Sequence, residues 1–360
     1  MSATTKGGLG IRALAMPFTA GREHARCGRY PVAMTAPSPI RYLSAADVAA
    51  AMPPLPERLL LAERTLRALN GDADLPAKIG VHPRPTGSFG HAMPAWLRGG
   101  EGDGDLLGIK WVTGFPNDRA TGIPAIHATL LLDDAATGQP RAILDAAGIT
   151  AVRTAAVTGV AVSRWAPVAR PDELRVGLVG AGVQGESHLV MLAGVLPGCR
   201  VTIHDRDARR AAQLAARTRA DGGFGEVTTS DTAAGAVRHA DVVMTMVSFG
   251  PTRQIVPAAA YAGAGLVVTV DYDMCLPGSV ARSAALFLVD ERGQFLANRT
   301  DAVFAGFPDP TAIMGERLDD ARPDGQVVVT HLGVGLADVV FGDAILRAAE
   351  RLQLGVLLSR

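Results

Sequence analysis

Three cations stand among apolar neighbours. Lys110 lies inside LLGIKWV, Arg153 inside GITAVRTAAVTGVAVSRWA, and Lys78 in AKIGVHPRP. An unpaired ammonium in an apolar strand is costly, so Lys110 needs an anionic partner or a place at a rim. Arg153 is equally out of keeping with the Ala, Val and Thr around it. Three such cations in one part of the chain look like a clamp for a substrate carboxylate. The plainer alternative is three surface residues whose charged heads reach water along apolar stems. Two carboxylates, Asp271 and Asp273 of VVTVDYDMC, follow an apolar run. Either could meet a substrate ammonium or exchange its proton, and only one need act.

The stretch RVGLVGAGVQGESHLVML, residues 175–192, adds a second chemistry. An apolar run leads into Gly180, Gly182 and Gly185, spaced G-x-G-x-x-G. Leu189, Leu192, Ala193 and Leu196 then recur as the apolar stripe of a helix. In a dinucleotide-binding turn the first glycine permits the bend and the second lets backbone approach the pyrophosphate. The third lets helix and strand pack closely, with the phosphates on the helix N-terminus. With 41 glycines in 360 residues the triplet alone says little. It gains meaning from RVTIHD, a second apolar strand ending on Asp205, where a carboxylate bonds the ribose hydroxyls of NAD. Arg206, Arg209 and Arg210 follow and could attract a 2′-phosphate instead. The acidic group repels that phosphate, so NAD is the expected cofactor. Its binding set is Gly180, Gly182, Val183, Gln184, Gly185, Asp205 and Arg206, joined by Thr154. The carboxyl ends of parallel strands face the cofactor crevice, which places Asp271 and Asp273 beside it.

The composition narrows the partners. Acidic and basic residues balance at 35 each, which removes any global electrostatic reason to expect nucleic acid or a membrane surface. Cys27, Cys199 and Cys275 form no C-x-x-C pair and leave an odd number, so neither a disulfide framework nor a zinc site is indicated. A reducing, cytoplasmic setting fits. No apolar run reaches the roughly 20 residues of a membrane helix, and the eight histidines are scattered without a metal-binding pattern.

Residues 1–36 are rich in Ala, Gly and Arg, contain one acidic residue, Glu23, and show no periodicity. They read as a leader outside the fold; a transit peptide and a start assigned upstream of Met34 are the alternatives. Ser44 with Asp47 marks a helix start, Pro53 and Pro54 interrupt it, and Pro56 opens a second helix through Leu69. From about 76 to 147 the pattern is of strands, with a loop at RGGEGDGD, followed by the Ala-rich helix of Arg153. After Pro171 strands and helices alternate, with strands at 175–179, 200–204, 241–246, 266–270 and 286–289. The late segment QVVVTHLGVGLADVVFGDAILRAAERLQLGV supplies a strand, a glycine turn and a long helix, expected to return to the first part of the fold.

Three segments carry a family resemblance. GIKWVTGFPNDRATGIPAIHATLLLDDAATGQPRAILDAAGITAVRTAA, GLVGAGVQG and HLGVGLADVVFGDAILRAAERLQLG together strongly resemble the ornithine cyclodeaminase and mu-crystallin family, from about residue 40 to the end. The K-W-V-x-G-x-P and R-T-A-A pair is far more specific than the glycine motif. The resemblance implies an α/β protein in which a Rossmann dinucleotide-binding domain, 166–324, is inserted into an α+β substrate-binding and dimerisation domain, 37–165 plus 325–360. It implies a homodimer, NAD, a small amino-acid or imine substrate, and a carboxylate held by Lys78, Lys110 and Arg153. Asp273 would be the acid/base, with Lys110 beside it in the chemistry. Two positions depart from the family pattern. His91 stands where the alanine dehydrogenase branch has an Arg before A-M-P, and Ser279 ends MCLPGS where ornithine-specific members carry P-G-K. His91 and His127 could shape an unusual side-chain pocket, or be ordinary core or rim histidines.

The expected activity is NAD-dependent chemistry at the Cα–N bond of an α-amino acid. L-Ornithine would give L-proline and ammonia through an imine. Related outcomes of the same site are amino-acid dehydrogenation, ketimine reduction and synthesis of N-substituted amino acids. A mu-crystallin-like binding protein is the rival of another class; a proton-relay set of Lys110, Arg153 and Asp273 argues against it.

Overall fold

A computed structural model describes residues 38–99, 104–115, 122–250, 252–300 and 303–360. The expected leader, the middle half of the RGGEGDGD loop and the end of the K-W-V-x-G-x-P motif lie outside the described residues. Residues 37–360 form one unit, built on two sheets.

The first sheet contains β1 (Ile40–Leu43), β2 (Ala73–Asp74), β3 (Ile79–Val81), β4 (Phe89–Leu97), β5 (Leu106–Gly114), β6 (Ile126–Asp134), β7 (Pro140–Asp145) and β16 (Val356–Leu358). Its order is β16-β1-β7-β6-β5-β4-β2, with β3 also on β4. The period-2 alternation seen in the sequence becomes two faces. Met93, Lys110 and Leu130 are cross-strand partners on the buried face; Pro94, Ile109, Leu131, Ile143 and Tyr42 form a row on the other.

The second sheet is wholly parallel. It contains β8 (Arg175–Val179), β9 (Arg200–His204), β10 (Glu226–Thr229), β11 (Val242–Thr245), β12 (Leu266–Thr269), β13 (Leu286–Val289), β14 (Ala312–Ile313) and β15 (Val327–Thr330), in the order β10-β9-β8-β11-β12-β15-β13-β14. Strands buried on both faces read as continuous apolar runs, and LVVT, LFLV and VVVT are buried throughout. One of them corrects the sequence reading. Val327–Thr330, expected to return to the first part of the fold, lies between β12 and β13 in the second sheet. A run buried on both faces belongs at the centre of a parallel sheet, not on its rim. Two short strands, β10 and β14, were not expected; EVTT is exposed at three of its four residues and carries little apolar signal.

The helices are α1 (Ala45–Ala50), α2 (Leu55–Ala68), α3 (Ala147–Trp165), α4 (Val183–Val195), α5 (Ala208–Asp221), α6 (Ala233–Val237), α7 (Gly278–Ser283), α8 (Arg292–Asn298) and α9 (Gly335–Arg351). Ser44 caps α1 in a capping box with Asp47, and Pro56 stands in the first turn of α2. Helix α3 packs against α2, α4 and α9 and also touches β6 and β12. It is apolar nearly all round because it is covered on several sides. Helix α9 leaves the second sheet and packs on β4, β5 and β6, after which β16 pairs with β1. The carboxyl ends of the second sheet, α3 and the start of α9 therefore meet the buried face of the first sheet. Among the described residues, no helix is long and apolar enough to cross a membrane.

Candidate functional site

At the glycine turn, Gly180 has φ +115°, and a Cβ there would stand 2.7 Å from the Met246 carbonyl oxygen. Only glycine satisfies both demands. A Cβ on Gly185 would run into the Gly180 carbonyl, so the start of α4 closes directly on the turn. Gly182 caps α4 without a side-chain bond, leaving the first N–H groups of the helix, those of Val183 and Gln184 among them, for an anion. The Gln184 Oε1 atom is buried there without a partner among the described residues. Asp205 ends β9 and is held against the turn: Oδ2 accepts the Ala181 N–H (2.8 Å) and Oδ1 the Asp207 N–H (2.9 Å). Arg206 is exposed beside it, while Arg209 is turned onto Asp207 at 3.2 Å. This cradle and carboxylate fit a dinucleotide, which Gly180, Gly182, Gly185 and Asp205 could hold. Thr154 is buried and donates its hydroxyl to the Thr150 carbonyl (2.6 Å), leaving it acceptor capacity only.

Two of the three cations, Lys110 and Arg153, converge on a residue the sequence reading missed. Asp338, in the first turn of α9, is 0% exposed. Its Oδ2 lies 2.6 Å from Lys110 Nζ and its Oδ1 3.1 Å from Arg153 Nε. Lys110 and Arg153 are themselves 1% and 4% exposed. Burial lowers the Lys110 pKa, the nearby Arg153 charge lowers it further, and Asp338 opposes both. Arg153 lies in the second turn of α3, and its guanidinium packs on Gly333, where any Cβ would strike it. Asp338 takes its Nε, and Nη1 stays buried with no partner among the described residues. Lys78 arrives from the start of β3. It donates to the Leu332 carbonyl and to Tyr272 Oη (3.1 Å) and lies 5.6 Å from the Tyr272 ring centre. The turn 331–333 is fixed in its own right: buried Asp290 accepts the Gly333 N–H (2.7 Å), and Gln294 Nε2 donates to the Gly333 carbonyl (3.2 Å).

Tyr272 separates the two candidate carboxylates after β12, and the two differ in surroundings. Asp271 faces inward, accepting the Thr245 hydroxyl (2.8 Å) and the Val247 N–H (3.0 Å). Burial pushes its pKa up to about 6 against those bonds. Asp273 has Oδ1 3.0 Å from Arg253 Nη2 and accepts the Phe304 N–H at Oδ2 (2.8 Å). Asp273, Tyr272, Lys78, the turn 332–333, Arg153, Asp338 and Lys110 thus form one continuous line of contacts.

His91 shares the buried face of β4 with Met93 and stacks on Phe89, with ring centres 4.7 Å apart. Burial, with Lys78, His82 and Lys110 nearby, pushes its pKa down to about 4. His127 falls on the opposite, exposed face, which separates it from this cluster. Deeper in, the Thr158 hydroxyl of α3 touches two imidazoles at once, His188 Nε2 of α4 (2.9 Å) and His331 Nε2 (2.8 Å); His188 Nδ1 meets the Gln184 carbonyl (2.7 Å). Burial lowers both histidine pKa values, that of His188 to about 4. The unmet need of Lys110 for an anion was a signal for Asp338; the Thr158 group and Arg253 left none.

The ornithine cyclodeaminase/mu-crystallin family model matches residues 56–262. Nodulation efficiency protein NfeD of Rhizobium meliloti is 31% identical over 331 residues, spanning 89% of this chain and 99% of that protein. The Delta(1)-pyrroline-2-carboxylate/Delta(1)-piperideine-2-carboxylate reductase of Azospirillum brasilense is 33% identical over 187 residues, 52% of this chain and 57% of that one. In fold, the chain is similar to Thermococcus litoralis Delta(1)-pyrroline-2-carboxylate reductase in complex with NADH and L-proline. The TM-score is 0.76 at 22% identity, over 88% of this chain and 99% of that one.

Proposed function

Since this chain belongs to the ornithine cyclodeaminase/mu-crystallin family, whose members include NAD(P)-dependent cyclodeaminases and imine reductases, we propose that it is an NAD-dependent enzyme acting at the Cα–N bond of an α-amino or α-imino acid. The observation that carries this reading is the line of contacts from the buried Lys110–Asp338–Arg153 group through Lys78 and Tyr272 to Asp273. In this division of labour, the first sheet with α9 binds substrate and the second sheet binds nucleotide. The nicotinamide, when bound, accepts or returns the hydride of Cα.

The chain's own residues do the rest. Arg153 Nη1 and Lys78 receive the substrate carboxylate, and Lys110 adds positive charge from below. Asp338 fixes the directions of Lys110 and Arg153 without taking part in binding. Asp273 takes the proton from the substrate nitrogen at Oδ1 as the imine forms and returns it in the reverse direction, while the Phe304 N–H holds Oδ2 still. Water attack on the imine would release a keto acid and ammonia; attack by a side-chain amine would close a ring. The test is absorbance at 340 nm, with NADH and cyclic imino acids in one direction and NAD with α-amino acids in the other, α-hydroxy acids serving as controls. Turnover of imine or amine substrates alone is expected. Turnover of hydroxy acids, or bound nucleotide with no turnover of anything, would overturn the reading, the second result in favour of a binding protein.

We also propose a homodimer formed through the outward face of the first sheet. Its row Pro94, Ile109, Leu131, Ile143, Tyr42 and Val356 is apolar from strand to strand, flanked by exposed Ile79 and Trp111. Such a continuous patch marks an interaction surface. Sedimentation is expected to return twice the chain mass, and Ile109→Glu to return the chain mass. A monomer in the unaltered protein removes this proposal.

A further inference from the structure

Among the described residues, the carboxylates around the site are all engaged. Asp338 is taken by Lys110 and Arg153, Asp273 by Arg253 and the Phe304 N–H, Asp271 by Thr245 and Val247, and Asp290 by the N–H groups of Gly333 and Glu291. Lys78, by contrast, rests on neutral oxygens, those of Tyr272 and Leu332. His91 stands on the same side as Lys78, and burial together with that nearby charge pushes its pKa down to about 4. Beside Lys78 stands a wall of aromatic rings. Tyr272 meets Phe249 edge-on, with ring centres 4.9 Å apart, and stacks on Phe304 at 5.5 Å. Phe304 is fully buried, but Phe249 is 53% exposed although it is entirely apolar. Tyr272 and Phe304 hold this wall with φ of +61° and +55°. That backbone is rare for bulky residues and is found where the surrounding structure dictates side-chain position.

We infer that Phe249 and Tyr272 form the specificity wall of the site and select α-amino or α-imino acids with an extended apolar or aromatic side chain, turning away those that end in a second ammonium. The inference rests on the reading of the site as one for Cα–N chemistry. An apolar side chain covers Phe249 and gains burial. A terminal ammonium meets the rings, loses its hydration, and finds every nearby carboxylate of the described residues already paired. Desolvating an unpaired ion costs several kcal/mol, enough for about a 10²-fold preference at a tenfold change per 1.4 kcal/mol. A cation over a ring recovers only part of this, because Lys78 already faces Tyr272.

The experiment uses the full chain loaded with NAD. Initial rates at 340 nm are compared for L-norleucine and L-phenylalanine against L-ornithine and L-lysine, and the affinities of the same four are measured by calorimetry with NADH bound. The apolar pair is expected to exceed the diamino pair by about 10²-fold in kcat/KM and to bind more tightly. Phe249→Ala is expected to shrink that ratio by about tenfold, chiefly through KM. Equal or better use of L-ornithine overturns the inference and leaves the Cα–N reading standing. If none of the four is turned over and no imine is reduced, that reading fails instead, and equal affinities in the calorimeter then remove the specificity wall as well.

Discussion

Asp338→Ala is expected to destabilise the protein by about 3–5 kcal/mol, the scale for removing one partner from a buried ion group. Lys110 and Arg153 are both inside the protein and share this one carboxylate between them. Without it, Arg153 keeps its charge with no counter-ion among the described residues, Lys110 is driven toward its neutral amine, and neither can reach water without moving α3 or β5. The urea midpoint is the measurement, because it separates lost stability from a change in unfolding cooperativity. Asp338→Asn provides the finer comparison: it keeps the shape and an acceptor for Arg153 Nε but removes the charge, so the loss is expected to be smaller while KM still rises steeply. A midpoint unchanged in Asp338→Ala would mean that the two cations are neutralised by some other group.

In Asp273→Asn, hydride transfer is expected to fall by roughly 10²-fold or more, the scale typical of a general acid or base. The side chain keeps its shape, and its carbonyl can still accept the Phe304 N–H, so NAD and substrate should bind nearly as before. Single-turnover formation of NADH at 340 nm, set beside binding measured by calorimetry, isolates the chemical step. Asp271→Asn is the informative partner. Asp271 bonds Thr245 and Val247 inside the protein, and its replacement should cost stability and loop position more than it costs the rate. If Asp273→Asn turned over normally and Asp271→Asn did not, the proton would belong to the other carboxylate.

The two sheets were legible because their burial differs. One-sided strands such as HATLLLDD alternate, two-sided ones such as LVVT do not, and the glycine triplet marks the turn between β8 and α4. Lys110 and Arg153 were legible as charges in the wrong company. Asp338 was not, since an acid in the first turn of a helix is ordinary in sequence, and only the packing of α9 across β5 carries it to Lys110. Arg253 pairs with Asp273, twenty positions on and beyond β12, a pairing with no periodicity to announce it. The strand Val327–Thr330 was misplaced because its neighbours in sequence, the glycine turn and α9, do return to the first sheet.

The Thr158 group has a directional consequence. A carbonyl can only accept, so His188 Nδ1 carries the hydrogen that meets the Gln184 carbonyl, and in the neutral ring Nε2 is then a bare lone pair. The single hydroxyl hydrogen of Thr158 must go to that lone pair. The hydroxyl oxygen is left to accept from His331 Nε2, so the hydrogen of His331 is committed there and its Nδ1 is bare. Both tautomers are thereby assigned by one backbone oxygen on the helix that begins at the glycine turn. The polarity runs one way, from the turn 331–333 toward the nucleotide helix: it starts at a ring whose buried Nδ1 has no partner among the described residues and ends on the Gln184 carbonyl. A proton placed on His331 Nδ1 would not disturb this order, whereas one placed on His188 Nε2 would displace the Thr158 hydrogen and turn both Thr158 bonds round, leaving only the bond to the Gln184 carbonyl as it was.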